Sequence, residues 1–487
     1  MNDNRNISQF ASRARQTLVD NGFQPEFSEA VDDEVCQLQR ASVNGTESIK
    51  DLRSLLWSSI DNRSSRDLDQ VEWGEGLSDG DIRILIGIAD VDALVQKDSA
   101  IDQHARQNTV TVYTEGRIFP MLPEELSTDL TSLNEGVDRL AVVADMTIKP
   151  NGDVPESTFY RAIVHNHAKL TYNNVGDWLE GGPEPATFAF TTGLKEQVAL
   201  QHQAAVRLKA YRRIKGALHF ESIQSEAVIE DGEVKGIESV EPNAARKLIE
   251  NFMVAANVEM AEFLEAHGAT SIRRIVKTPK NWNGIRRIAS EFGVNLPTEP
   301  DQPALAEFLA ARREADPLHF PDLSLSIIKL IGSGEYVIER KGEDSGGHFG
   351  LAVQDYAHST APNRRFPDLV VQRLVKAVVA GKPVPYSDGD LQSIADRANQ
   401  MERAARKVER KMRKIVAATV MQKHVGDEFT AVVTGVTSGG TFARILRPPV
   451  DGRIERGEKG LEVGQKVQVK LISADPRSGF IDFAAQR

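Results

Sequence analysis

A chain of 487 residues has room for about three domains of ordinary size and for a sizeable core. Its 40% hydrophobic and 26% charged residues, with 36 Gly and 21 Pro, are the proportions of a soluble globular protein and exclude disordered, collagen-like and membrane classes. A formal net charge of −11 counts at first sight against a nucleic-acid partner.

Residues 1–50 set Phe10, Ala14, Leu18, Ala30, Val35 and Leu38 at loose helical spacing, broken at Asn21-Gly22 and Pro25. They predict a small helical accessory module, either helix-turn-helix-like or simply packed helices. The opening MNDNRNISQFASRARQ has no apolar stretch of the kind a leader carries, and apolar runs such as that ending at Ile88 to Val91 are too short to span a bilayer. Cys36, the only cysteine, has no intramolecular partner, which suits a reducing, cytoplasmic setting.

From 51 to 424, strand-like runs such as IRILIGIADV (82–91) and TVTVY (109–113) stand beside long helical ones such as NAARKLIENFMVAANVEMAEFLEAHG (243–268). This is the mixture of an α+β catalytic domain. In the helical run Leu248, Phe252, Ala255, Ala256, Met260 and Phe263 read as core. The stretch 390–424 carries Arg403, Arg406, Lys407, Arg410, Lys411, Arg413, Lys414 and Lys423 against Glu409 alone after residue 402, either a solvated helix face or a surface for backbone phosphates. Residues 425–487 alternate in DEFTAVVTGV, TFARIL, KVQVKLISAD and GFIDFAAQ between Ser-Gly-Gly, Pro-Pro and Pro-Arg-Ser-Gly turns, which predicts a small antiparallel barrel.

The strongest chemical feature is IDNRSSRDLDQ, with Asp61, Asp67 and Asp69. Asp67 and Asp69 are two apart, so an extended segment points them the same way, and Asp61 can return alongside across the Ser64-Ser65 loop. Three converging carboxylates stay ionised together only around a cation, and hard oxygen ligands suit Mg²⁺ or Mn²⁺ held jointly with a substrate phosphate. On spacing alone a solvated acidic loop is the favoured reading.

Other segments narrow the choice. The stretch 87–146, with IFPMLPEELSTDLTSLN at its centre, AKLTYNNVGDWLE (168–180) and GGHFGLAVQDYAHSTAPNRRFPDLVVQRLVKAVVAGK (346–382) together resemble the catalytic RNB domain of the ribonuclease II and ribonuclease R family of hydrolytic 3′-to-5′ exoribonucleases. The terminal barrel resembles the S1 RNA-binding domain of the OB-fold type that follows the RNB domain in that family. The first 50 residues do not resemble the family's usual cold-shock pair. The expected fold is therefore multidomain α+β: a helical N-terminal module (1–50), a mixed α/β RNB domain with its basic helices (51–424) and an S1-type barrel (425–487).

The resemblance also implies roles. The family's acidic motif, an aspartate, five residues and then D-x-D-D, is met by Asp61, Asp67 and Asp69, with Gln70 where a fourth aspartate usually stands. These four are the implied metal ligands, Asp69 being also catalytic. An amide oxygen can ligate but carries no charge. Arg364 is implied at the scissile phosphate and Arg365 at the RNA, the alternative for such a helix-start arginine being a pair with Asp368. Tyr113 is implied to stack on the 3′-terminal base, Tyr172 to lie near the RNA, and Glu250, or its neighbour Asn251, to read a ribose 2′-hydroxyl. Glu409 matches a glutamate that approaches the active centre, though as an i,i+4 partner of Arg413 it has a simpler explanation. His348 and His358 read as structural or phosphate-adjacent. In the barrel Phe442 is an S1 aromatic, Gly439 stands where a second is common, and Arg444, Lys466 and Lys470 supply charge.

The implied activity is processive 3′-to-5′ hydrolysis of single-stranded RNA to nucleoside 5′-monophosphates by Mg²⁺-activated water, Mn²⁺ being a possible substitute. The other reading, raised by Gln70, is an RNB-fold protein that binds RNA without cutting it. A monomer without an obligate protein partner is expected, as is an acidic exterior around a basic channel.

Overall fold

The computed structural model describes residues 4–38, 49–221, 224–230, 233–240, 242–317, 319–437 and 439–486. Residues 1–3 and 39–48 of the expected N-terminal module lie outside them. Helices α1 (Asn4–Asp20) and α2 (Glu29–Leu38) precede strands β1 (Lys50–Asp51), β2 (Trp57–Asp61), β3 (Gln70–Gly76) and β4 (Ile82–Ala89). Then follow α3 (Ala100–Asn108), a hairpin of β5 (Val112–Tyr113) and β6 (Ile118–Phe119), and the long strands β7 (Asp138–Ile148) and β8 (Glu156–Thr171). The second half of the domain adds α4 (Tyr172–Leu179), α5 (Thr187–Phe190), α6 (Leu194–Ile214), the hairpin β9 (Gln224–Glu230) and β10 (Glu233–Val240), and α7 (Ala244–Ala266). It continues through β11 (Ser271–Ile275), α8 (Trp282–Glu291), α9 (Gln302–Ala315), α10 (Phe320–Ile331), β12 (Glu335–Glu339), α11 (Phe366–Val379) and α12 (Asp388–Met421). Five strands finish the chain: β13 (Glu428–Thr437), β14 (Gly440–Ile445), β15 (Val450–Arg456), β16 (Lys466–Asp475) and β17 (Phe480–Gln486).

Near-continuous apolar runs make β4 and the middle of β7 strands covered on both faces, while the more polar β3 is buried along its first three residues. The main sheet has the order β1-β8-β2-β3-β4-β7, and β7 also pairs with β8, so it curls onto itself. Its register sets one rim. Asp61 ends β2 opposite Thr171, the last residue of β8, while Gln70 opens β3 opposite Ile88 near the end of β4. The acidic segment therefore crosses one edge of a rigid, closed sheet. Helix α7, begun by an Asn243 side chain that accepts from the Arg246 N–H, buries Leu248, Phe252, Ala256 and Met260 in the core that includes this sheet. The leucine, phenylalanine and methionine side chains each contribute roughly 1.5–3 kcal/mol by leaving water.

The two N-terminal helices join the body along separate faces. Phe10, Ala14 and Leu18 of α1 pack with Met401, Ala405, Val408 and Met412 of α12 and with Val112 and Phe119 of the β5–β6 hairpin, whereas Val31 and Val35 of α2 enter the main core. Gly116, in the hairpin turn, is where Phe10 comes so close that a Cβ would lie 2.8 Å from it.

The C-terminal strands form a closed barrel in the order β13-β14-β15-β17-β16. The alternation predicted antiparallel strands throughout, but β15 and β17 pair in parallel to close it. Alternation reports which side chains face inward; it does not report the direction of a neighbour that is remote in sequence. Among the described residues no helix is long and apolar enough to cross a membrane.

Glu259 on α7 is 8% exposed, and burial, partly offset by a Ser157 hydrogen bond, pushes its carboxyl up from 4.5 to about 7. The folded state then holds the proton more tightly than the unfolded chain, so stability present below about pH 4.5 is lost as pH rises to about 7. E259Q removes that loss. Urea unfolding should show it level with the parent at pH 4 and more stable at pH 8, by about 3 kcal/mol at most.

Candidate active site

The loop between β2 and β3 is folded by its own polar groups. Asp61 Oδ1 accepts from the Asn62 N–H at 2.6 Å and from Ser65 Oγ at 2.7 Å. Leu68 is buried and donates its N–H to Ser132 Oγ at 2.9 Å, which anchors one side of the extended segment. Asp67 and Asp69 project from the other side. Asp69 is 3% exposed; its Oδ2 accepts from Arg364 Nε at 3.1 Å and its Oδ1 from the Asn363 N–H at 3.3 Å.

Arg364 arrives there because its segment docks on the strand leading to Tyr113. The Thr111 N–H donates to Arg364 O at 3.0 Å, the Phe366 N–H to Thr109 O at 2.8 Å, and Val110 bridges Arg365. The same docking delivers Tyr113, whose hydroxyl donates to Asp67 Oδ2 at 3.3 Å and whose N–H donates to Glu409 Oε1 at 3.1 Å. Glu409 thus holds the tyrosine backbone. Arg413 pairs with Glu115 of the hairpin at 3.6 Å, and no ion pair joins it to Glu409 among the described residues. Tyr172 opens α4, with the Arg246 guanidinium stacked 4.5 Å over its ring and donating to Asn62 Oδ1 at 2.9 Å.

Burial pushes the Asp69 carboxyl up to about 7 against the opposing pull of Arg364. Burial likewise raises Asp67, with Asp61 adding repulsion. Tyr113 shows the shape of the site: 41% of its surface is open, yet burial is the leading influence on its hydroxyl, which it pushes up. The Arg364 side chain is 44% open, and burial is again the leading influence on it.

The adjacent arginines divide. Arg365 is clamped by Asp368 through contacts of 2.9 and 2.6 Å, so the pairing considered for Arg364 belongs to its neighbour. Glu250 is exposed beside Arg212 and Lys209, while Asn251 is buried and accepts from Arg212. His358 and His348 are pushed down by burial, and the Tyr336 hydroxyl meets His358 Nδ1 at 2.8 Å. In the barrel Phe442 is 37% exposed, Lys466 and Lys470 are exposed, and Arg444 is held by Asp451 through two 3.0 Å contacts.

Asp61, Asp67, Asp69 and the Gln70 amide offer only hard oxygen donors, a set that fits Mg²⁺ or Mn²⁺. Two residues escaped sequence reasoning. Arg246 sits in an ordinary helix start and left no signal. Glu72 is buried with both carboxylate oxygens lacking partners among the described residues, and within the polar run QVEWGEG it reads as one more solvated glutamate. The described His/Cys/Asp/Glu trio with ligand atoms within 4.8 Å of one another, Glu265, Glu339 and Asp355, lies elsewhere and has Arg273 as its countercharge, 2.8 Å from Glu339.

The RNB domain family matches residues 49–381 and the RNase II-type exonuclease C-terminal S1 domain matches residues 427–486. Ribonuclease R of Vibrio parahaemolyticus is 32% identical over 451 residues, covering 88% of this chain and 52% of the relative; that of Escherichia coli K12 is 31% identical over 427 residues, covering 83% and 51%. The chain spans about half the length of these relatives. Mycoplasma genitalium RNase R, solved in complex with ribose-methylated single-stranded RNA, superposes with a TM-score of 0.87 at 22% identity, covering 98% of this chain and 78% of that one.

The two arginines should separate in mutagenesis. R365A strands the buried Asp368 carboxylate and should cost about 3–5 kcal/mol in denaturant unfolding, the penalty for breaking a buried pair. R364A should cost distinctly less, since its partner Asp69 can take up a proton; equal losses would contradict the division.

Proposed function

The chain belongs to the RNB family, and on that footing we propose that it is a metal-dependent, processive 3′-to-5′ exoribonuclease that hydrolyses single-stranded RNA to nucleoside 5′-monophosphates. One observation carries the reading: Asp67, Asp69, Tyr113 and Arg364 converge across remote segments, with Tyr113 and Arg364 both partly open to solvent beside the buried Asp69. Such a site admits a chain end.

Asp61, Asp67, Asp69 and Gln70 would hold the metal, which supplies a water of lowered pKa and countercharge for the phosphate. Asp69 accepts from Arg364 and orients the guanidinium, whose open side remains free to hold the scissile phosphate bidentately. Tyr113 offers its ring to the terminal base while Glu409 fixes its backbone and Asp67 its hydroxyl. Base stacking of this kind contributes about 1–3 kcal/mol and ignores sequence, as degradation requires. Arg246 over the Tyr172 ring adds positive charge beside the strand's path.

Arg365 supports this site from within, since Asp368 occupies its fork. In the barrel, Phe442, Lys466 and Lys470 remain open for single-stranded RNA, with Arg444 fixed beside them. Exposed Arg403, Lys407, Arg410 and Lys414 on α12 add a basic surface. Binding should weaken as salt rises despite the negative net charge.

Incubation of the full chain with 5′-labelled oligo(A) and Mg²⁺ tests the activity. Shortening from the 3′ end to a small limit product, abolished by chelation, is expected; RNA that is bound but stays full length at every metal concentration sinks it. D69N should abolish cleavage with binding nearly intact, measured by filter binding, and equal loss of both would make Asp69 structural. Y113A should lengthen the limit product on a sequencing gel, and an unchanged product would remove its stacking role.

A further inference from the structure

The carboxylate of Glu72 has no task in the site described above. It is fully buried on β3, and neither oxygen meets a hydrogen-bond partner among the described residues. Ser58, its register partner on β2, is also fully buried and carries an unpartnered Oγ. From α6, Gln201 donates Nε2 to Glu72 O at 3.4 Å and leaves its own Oε1 unpartnered. The unsatisfied atoms gathered on this part of β2 and β3 are therefore oxygens. Buried polar groups are ordinarily paired, and a lone buried carboxylate is among the costliest exceptions, so such a set marks a place for a cation or its protons.

Strand geometry says which cation. Gln70 and Glu72 are two apart on β3 and share a face of the sheet. The charge of Asp61 acts on Glu72, and Asp61 and Glu72 together act on Tyr172, so the carboxylate belongs to the electrostatic surroundings of the acidic rim. Resting on the exoribonuclease reading above, we propose that Glu72 supplies to the catalytic metal the carboxylate that the amide at Gln70 cannot. The negative charge of the site is displaced by one strand period, from position 70 to position 72 on the same face of β3. Divalent affinity follows ligand charge, and an amide oxygen beside a carboxylate keeps the donor count.

Mn²⁺ binding to the full chain without RNA, followed by electron paramagnetic resonance of the free ion, decides the matter. The parent should bind the ion, and E72Q should bind it about 10- to 100-fold more weakly, the loss typical when a ligand or its close support is removed. In Q70D/E72Q, which moves the charge back without changing its amount, affinity should return to that of the parent. An E72Q affinity equal to the parent's makes Glu72 a neutral structural acid and overturns the proposal. Should E72Q fail to fold in a thermal melt, Q70D/E72Q still decides: affinity more than about tenfold from the parent's in either direction overturns the exchange of roles. A parent chain that binds no Mn²⁺ would instead remove the metal-dependent reading itself.

Discussion

The ion pair between Asp69 and Arg364 joins segments 295 positions apart, and the working geometry hangs on it. A carboxylate that is 3% exposed carries a large desolvation penalty, which Arg364 and the Asn363 N–H offset in part. To deliver those donors, the segment before α11 must lie against residues 109–111, and that contact in turn presents Tyr113 to Asp67. One electrostatic requirement thus orders an acid, a base and an aromatic side chain. The closed sheet makes the order rigid, because Asp61, Gln70 and Thr171 all sit where paired strands end.

Neighbouring residues with the same chemistry are assigned opposite tasks by this geometry. Arg365 begins α11 with its fork filled by Asp368, a carboxylate fully out of water, whereas Arg364 keeps nearly half its side chain open. Burying one arginine in a satisfied pair secures the helix start from which the other reaches out. Glu409 follows the same logic at longer range: it sits on the 34-residue helix α12, yet spends its oxygen on the Tyr113 backbone.

The N-terminal helix belongs to this arrangement as well. Phe10 closes on the Gly116 turn of the hairpin that carries Tyr113, and Arg13 donates to Pro476 O of the barrel at 3.0 Å. One helix therefore touches the hairpin, α12 and the barrel. Helix α12 buries Met401, Ala405, Val408 and Met412 against it and turns Arg403, Lys407, Arg410 and Lys414 outward on the opposite side. The net charge of −11 is an average over such separated surfaces, and says little about any one of them.

Much of this was legible before any coordinates. Alternation placed Asp67 and Asp69 together opposite Leu68, helical spacing marked the buried face of α7, and the motifs around Asp61, Arg364 and Tyr113 identified the RNB family. These are local properties, carried by periodicity and residue type. What the sequence could not contain is which remote partner each group meets. That Asp368 takes Arg365 and Asp69 takes Arg364, that Glu409 holds Tyr113, that Arg246 covers Tyr172, and that β15 and β17 pair in parallel are facts of chain crossing. Glu72 is the sharpest case: a glutamate in a strand reads as a solvated residue until the sheet closes around it and leaves both oxygens without partners among the described residues. Residue type determined the chemistry on offer, and only tertiary burial, by removing water, decided which groups must find one another.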